Sequence, residues 1–191
     1  MSLRKIVPFS DEQLMDGCAR NDRTAQEALY KKYASTMFGI CMRYAVDTPQ
    51  AEDMMQEGFI KVYAHIHQFR REGSFEGWLK RIFVNTAIEW LRRNSQMNQM
   101  LDVETTPINR VQQDDFHKLS AKDLLGFVQS LAPGYRTVFN LYAVEGYSHK
   151  EIGDMLGISE GTSKSQFARA RYMLEKMVLN AQKPAYAAAV L

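Results

Sequence analysis

Apolar side chains recur at helical spacing along almost the whole chain, and one long stretch breaks the pattern. Leu29, Tyr33, Met37, Ile40 and Tyr44 share a face, as do Met55, Phe59, Val62 and Ile66, and the pattern resumes with Leu124, Leu125, Val128 and Leu131. Steps of three and four residues line one side of an α-helix, whereas a strand needs strict alternation. Only five prolines interrupt the 191 residues. Residues 96–118 are different: rich in Gln, Asn, Asp and Thr, they carry no sustained apolar period and read as a linker. A chain divided in this way is expected to be all-α, with two small helical domains at 10–95 and 119–180. A flexible linker, 96–118, joins them, and a tail of no evident role follows at 181–191.

Local signals place the helix ends. Ser10 and Gln13 have the spacing of a capping box. Asp47-Thr48-Pro49 closes one helix and opens the next, with Thr48 expected as the cap and Pro49 in the first turn. In that helix Glu52, Asp53, Gln56 and Glu57 lie outside the apolar stripe, as a solvated or partner-facing surface. Arg70 to Ser74 reads as a turn and Phe75 to Asn94 as a long helix. Pro133 opens another helix through Val138, Leu141 and Tyr142 to Gly146.

The clearest local pattern runs from Ser148 to Leu174. Ser148 and Glu151 form a second capping box, Ile152 and Leu156 face inward, and Gly157 ends the helix where a left-handed residue is needed. Ile158 packs across the corner and Ser159 caps a longer helix, which makes a helix-turn-helix. On its wheel Phe167, Ala170, Leu174, Met177 and Val178 lie on one side. Thr162, Ser165, Arg169 and Tyr172 lie opposite, flanked by Lys164, Gln166 and Arg171. Such a face suits the major groove of duplex DNA. An ordinary two-helix corner with a polar outer face is the plainer alternative.

The helix from Phe75 carries a narrow polar stripe of Arg81, Asn85, Glu89 and Arg92, with Trp78 at its head and Phe69 and Arg70-Arg71 just before it. Cations interleaved with aromatic rings fit single-stranded nucleic acid, because cations follow the phosphates and rings stack on unpaired bases. Leu79, Phe83 and Trp90 read as core; Trp78 fits either core or nucleic-acid contact.

Composition narrows the remaining classes. The formal net charge is only +2, but basic residues gather at 79–93 and again at 162–176, with a mildly acidic stretch between them. Cys18 and Cys41 lack the spacing of a metal clip and read as plain thiols. His65 and His67 point about 200° apart on a helix and cannot share an ion. No metal, cofactor or catalytic constellation is expected. The first thirteen residues lack a signal-peptide core and no apolar run is long enough to cross a bilayer, so a cytoplasmic protein is expected.

With these residues in view, a family resemblance emerges. Ala51-Glu52-Asp53-Met54-Met55-Gln56-Glu57-Gly58-Phe59-Ile60-Lys61-Val62-Tyr63 resembles the polymerase-binding helix of bacterial sigma factors. Phe75-Glu76-Gly77-Trp78-Leu79-Lys80-Arg81-Ile82-Phe83-Val84-Asn85-Thr86-Ala87, continuing to Arg92-Arg93, is similar to their segment that melts and reads the −10 element. The helix-turn-helix resembles their −35 reader. Two such domains and a short linker are the layout of the extracytoplasmic-function group of the sigma-70 family, and the resemblance covers about Ser10 to Asn180.

The resemblance implies a protein that directs RNA polymerase to promoters and helps to melt the −10 element. Asp53, Gln56 and Glu57 would lie against the clamp coiled coil of the largest subunit of core RNA polymerase, with the flap as a further partner. Phe69 and Asn85 would hold a flipped −10 base, flanked by Trp78, Arg81 and Arg92. Lys164, Ser165 and Arg169 match positions of the −35 helix; Gln166 stands where basic residues are frequent in the family, and Thr162 shares the outward face. The family often has a cognate anti-sigma factor, though no sequence feature identifies one. The rival to this reading is a freestanding helix-turn-helix repressor with a dimerising or sensing amino-terminal bundle.

Overall fold

The computed structural model describes residues 9–93 and 120–182, and among these there is no strand. The expected linker and all but the first two residues of the expected tail lie outside them. The chain divides into two compact units, Met1–Trp90 and Leu91–Leu191.

The first unit holds α1 (Asp11–Ala19), α2 (Arg23–Tyr44), α3 (Thr48–His65) and all but the last three residues of α4 (Phe75–Arg93), with a 3-10 turn at Ile66–Gln68. Ser10 caps α1 through the expected box: its hydroxyl accepts from the Gln13 amide at 3.2 Å, and Gln13 accepts from the Ser10 amide at 2.9 Å. At α3 the cap is Asp47 and not Thr48. Its Oδ1 accepts from the Gln50 amide at 2.9 Å, which leaves Thr48 as the first helical residue and Pro49 as the second. A carboxylate satisfies the orphan amide and also suits the positive end of the helix dipole, so it displaces the hydroxyl next to it.

Leu29, Tyr33, Met37, Ile40 and Tyr44 are all buried, as their spacing requires. In α3 the buried stripe is Ala51, Met54, Phe59 and Val62, continued by Ile66 in the 3-10 turn, with Met55 only half-buried. Gly58 explains the rotation by one position. A Cβ there would lie 2.5 Å from the Phe83 ring, so α3 meets α4 at a residue that contributes nothing to an apolar pattern. Phe83, fully buried, packs edge-on to Phe59 with centroids 5.1 Å apart. Cys18 and Cys41 are buried and unpaired by disulfide; burial pushes their thiols up to about 11 and about 12, which disfavours the reactive thiolate.

Among the described residues the second unit has the smaller apolar core. It holds α5 (Ala121–Ser130), α6 (Pro133–Phe139) continued by a π-helical segment (Asn140–Val144), α7 (His149–Leu156) and α8 (Glu160–Gln182). Leu131, Tyr135, Val138, Leu141, Ile152, Leu156, Ala170 and Val178 are buried. They enclose polar groups: Arg136, Thr137, Asn140, Ser163 and Gln166 are also buried. The Arg136 guanidinium donates to the Gln129 carbonyl at 3.2 Å, and the Thr137 hydroxyl to the Pro133 carbonyl at 2.7 Å.

Candidate nucleic-acid interface

The loop between α3 and α4, residues 69–74, turns twice through the left-handed region, at Arg71 (φ 60°) and Gly73 (φ 84°). Ser74 then caps α4 by accepting from the Gly77 amide at 3.0 Å. In front of this loop lies an open cavity of about 460 Å³, lined among others by Phe69, Arg70, Glu72, Trp78 and Arg81. That volume falls within the roughly 300–1,000 Å³ of small-ligand sites. Three rings build one side: Phe69 is 5.4 Å from Trp78 and 5.6 Å from Phe75, and Phe75 stacks on Trp78 at 5.8 Å and 17°. Phe75 is buried, whereas Phe69 and Trp78 are only half-buried and share the cavity. Trp78 therefore divides its surface between support and site.

Of the −10 residues expected from sequence, Phe69, Trp78 and Arg81 come together at this cavity. Asn85 and Arg92 do not line it; they lie exposed further along the same side of α4. Glu89, the acid in that stripe, accepts from Lys61 at 2.6 Å, and Lys61 also lies 3.2 Å from Glu57. Glu57 is thus half-buried and ion-paired, while Asp53 and Gln56 are exposed on α3. Sequence reasoning missed Lys61, since its partner is 28 residues away.

The helix-turn-helix forms where it was expected. The Ser148 hydroxyl accepts from the Glu151 amide at 3.3 Å and the Glu151 carboxylate accepts from the Ser148 amide at 2.8 Å. Gly157 takes φ 70°, and its amide and that of Ile158 both donate to the Gly153 carbonyl, at 2.8 and 3.1 Å. The corner is tight enough that a Cβ on Gly153 would lie 2.8 Å from the Ile158 carbonyl oxygen. Ser159 caps α8 by accepting from the Thr162 amide at 2.9 Å.

On α8, Lys164 and Ser165 are exposed and Thr162 and Arg169 half-buried. Lys164 pairs with Glu160 at 2.6 Å, the Thr162 hydroxyl meets that of Ser159 at 2.8 Å, and Ser165 donates back to the Thr162 carbonyl at 2.9 Å. Gln166 requires a correction. Only 5% exposed, it belongs to the interior and not to the exposed face on which it was expected. It lies three residues after fully buried Ser163 and four before fully buried Ala170, on the inward face of the helix. A stripe of apolar side chains alone does not mark these two polar interior positions. Ser163 has a definite partner: its hydroxyl lies 2.9 Å from Nδ1 of His149, which stacks on Tyr142 at 4.2 Å.

Among the described residues no group of three or more His, Cys, Asp or Glu is placed to hold a metal ion, and no helix is long and apolar enough to cross a membrane.

The sequence profile of Sigma-70 region 2 matches residues 29–96, and that of Sigma-70 region 4 matches residues 121–174. The RNA polymerase sigma-H factor of Pseudomonas aeruginosa is 30% identical over 187 residues, which cover 90% of this chain and 95% of that protein. The chain belongs to the extracytoplasmic-function group of the sigma-70 family. Another relative, the ECF RNA polymerase sigma factor SigE of Mycolicibacterium smegmatis, is 29% identical over 195 residues, covering 91% of this chain and 74% of the relative. The fold agrees with the solved sigma factor RpoE of Bartonella quintana, crystallised with the anti-sigma factor NepR: TM-score 0.51 at 19% identity, over 82% of this chain and 98% of that one. As a sigma factor the protein directs RNA polymerase to promoters, and members of this family are not enzymes. The freestanding repressor is not favoured.

Proposed function

We propose that this sigma factor divides promoter recognition between its two units, within residues 10–95 and 119–180. The cavity at Phe69, Trp78 and Arg81 receives an unpaired −10 base, and Asn85 and Arg92 follow the strand along α4. The observation that carries this reading is the cavity itself: half-exposed rings for stacking beside cations for phosphate, where the 69–74 loop meets the start of α4. Asp53 and Gln56, with Glu57 held by Lys61, form the acidic face for the clamp coiled coil of core polymerase. In the second unit Lys164, Ser165 and Arg169, with Thr162 at the head of α8, face the −35 duplex. The apolar cavity of about 390 Å³ lined by Leu124, Phe127, Val128 and Leu174 is the surface offered to the flap. The protein acts in the cytoplasm, where core polymerase is, and a cognate anti-sigma factor is its expected regulator.

Run-off transcription with core polymerase tests the assignment. Trp78→Ala is expected to bind core normally yet lose ~1–3 kcal/mol of −10 strand affinity, the worth of one stacked base. Asp53→Ala with Glu57→Ala is expected to weaken core association and leave the isolated fold intact. Normal promoter melting by the Trp78 variant would remove the cavity from the mechanism.

A further inference from the structure

Helix α1 precedes the part of the chain matched as region 2, which begins at residue 29. It nevertheless makes two separate connections to the walls of the aromatic cavity. The first is to the loop. Asp16 accepts from Arg71 Nη2 at 2.5 Å. Within residues 69–74, Arg71 is the member that does not line the cavity. Its left-handed backbone is costly for a residue with a Cβ, and Arg71 pairs with α1 while Arg70 and Glu72, on either side of it, line the cavity. The second connection is to the rings. Asp11 accepts from the Tyr33 hydroxyl at 2.6 Å and from Lys32 at 2.7 Å. Burial and the neighbouring carboxylate push the Tyr33 phenol well up, so its proton stays in place to be donated. The Tyr33 ring meets Phe75 edge-on at 5.9 Å and 80°, and Phe75 in turn backs Phe69 and Trp78.

We infer that α1 is a brace for the cavity: Asp16 and Asp11 are positioning residues that hold, through Arg71 and Tyr33, the loop and the rings that receive an unpaired base. The inference rests on the assignment of that cavity to the −10 strand proposed above. Charge alone gives no reason for these acids, because a carboxylate beside a nucleic-acid site repels phosphate. The two explanations therefore differ in sign. Asp16→Asn removes a negative charge and tightens strand binding if electrostatics dominate; it weakens binding if Asp16 holds the loop.

The full-length protein with core polymerase is titrated onto promoter DNA carrying 2-aminopurine in the −10 segment, following affinity and the fluorescence of the extruded base. Asp16→Asn is expected to weaken binding several-fold and reduce the fluorescence, with core affinity and melting temperature unchanged. Arg71→Asp, an acid tolerated in the left-handed region, is expected to weaken binding similarly, and combining it with Asp16→Arg to restore most of the loss. Tyr33→Phe keeps the ring but loses the Asp11 bond, and is expected to weaken binding too; no change there removes Asp11 from the brace. Unchanged or tighter binding by Asp16→Asn, or a swapped pair no better than Arg71→Asp alone, overturns the role of Asp16. Trp78→Ala is measured alongside: if it is also silent the cavity assignment fails, and if it alone weakens binding only the brace fails.

Discussion

The two units build their interiors from different residues. Among the described residues of the first unit, Thr86 is the one buried polar side chain apart from the tyrosine hydroxyls, and the rest of its core is aliphatic, aromatic or sulfur-containing. The second unit, with fewer buried apolar groups, encloses Arg136, Thr137, Asn140, Ser163 and Gln166. An apolar interior gains from every buried methylene and tolerates small rotations, whereas buried polar groups fix geometry through their partners. The first unit holds its shape by volume, the second by backbone turns and hydrogen bonds. Each should therefore break in its own way.

The largest effect is expected from a void in the first unit. Phe83→Ala removes the fully buried ring between Gly58 and Phe59 and should cost ~3–5 kcal/mol, read as a lowered midpoint of its transition in urea. A single shared transition for both units would undo the comparison. Next comes the backbone of the second unit. Gly153→Ala adds only one methyl, but it meets a main-chain carbonyl, and ~1–3 kcal/mol of destabilisation is expected in thermal unfolding of residues 120–182. Loss of stability in the first unit instead would contradict that division. The smallest effect is electrostatic. Burial first, and then the charge of Lys164, lower the proton affinity of His149. The unfolded chain, with an ordinary value of about 6.5, then takes up the proton more readily than the folded one. Stability of the second unit is thus complete above that pH and declines as pH falls below it. His149→Gln should flatten this dependence in melts between pH 5 and 8, and an unchanged slope would assign it to other groups.

What was legible in the sequence is what is local. Ser10 with Gln13, Ser148 with Glu151, and Gly157 act within four residues of themselves, so their spacing alone foretells the caps and the corner. The period-3.6 stripes of α2 likewise report burial directly, and the aromatic and basic pattern at the head of α4 singles out Phe69, Trp78 and Arg81, to which the family resemblance adds a −10 role and which meet at one cavity. Apart from the α3 cap, where Asp47 stands in for the expected Thr48, the misses have a common cause. Met54 in place of Met55 follows from contact at Gly58; the interior places of Ser163 and Gln166 follow from tertiary packing; Asp16–Arg71 and Lys61–Glu89 join residues far apart in the chain. None of these leaves a periodic trace.

The enclosed Ser163 and Gln166 bear on how this protein could change its target. The hydroxyl of Ser163, 2.9 Å from His149 Nδ1, favours one rotational setting of α8 about its own axis, since turning the helix would take that group from its partner and leave it in hydrocarbon. Side chains on its far side, Lys164, Ser165 and Arg169 among them, can then be exchanged without re-aiming the helix. On the proposed assignment of those positions to the −35 duplex, new promoter preferences become reachable by altering them one at a time on an unmoved frame.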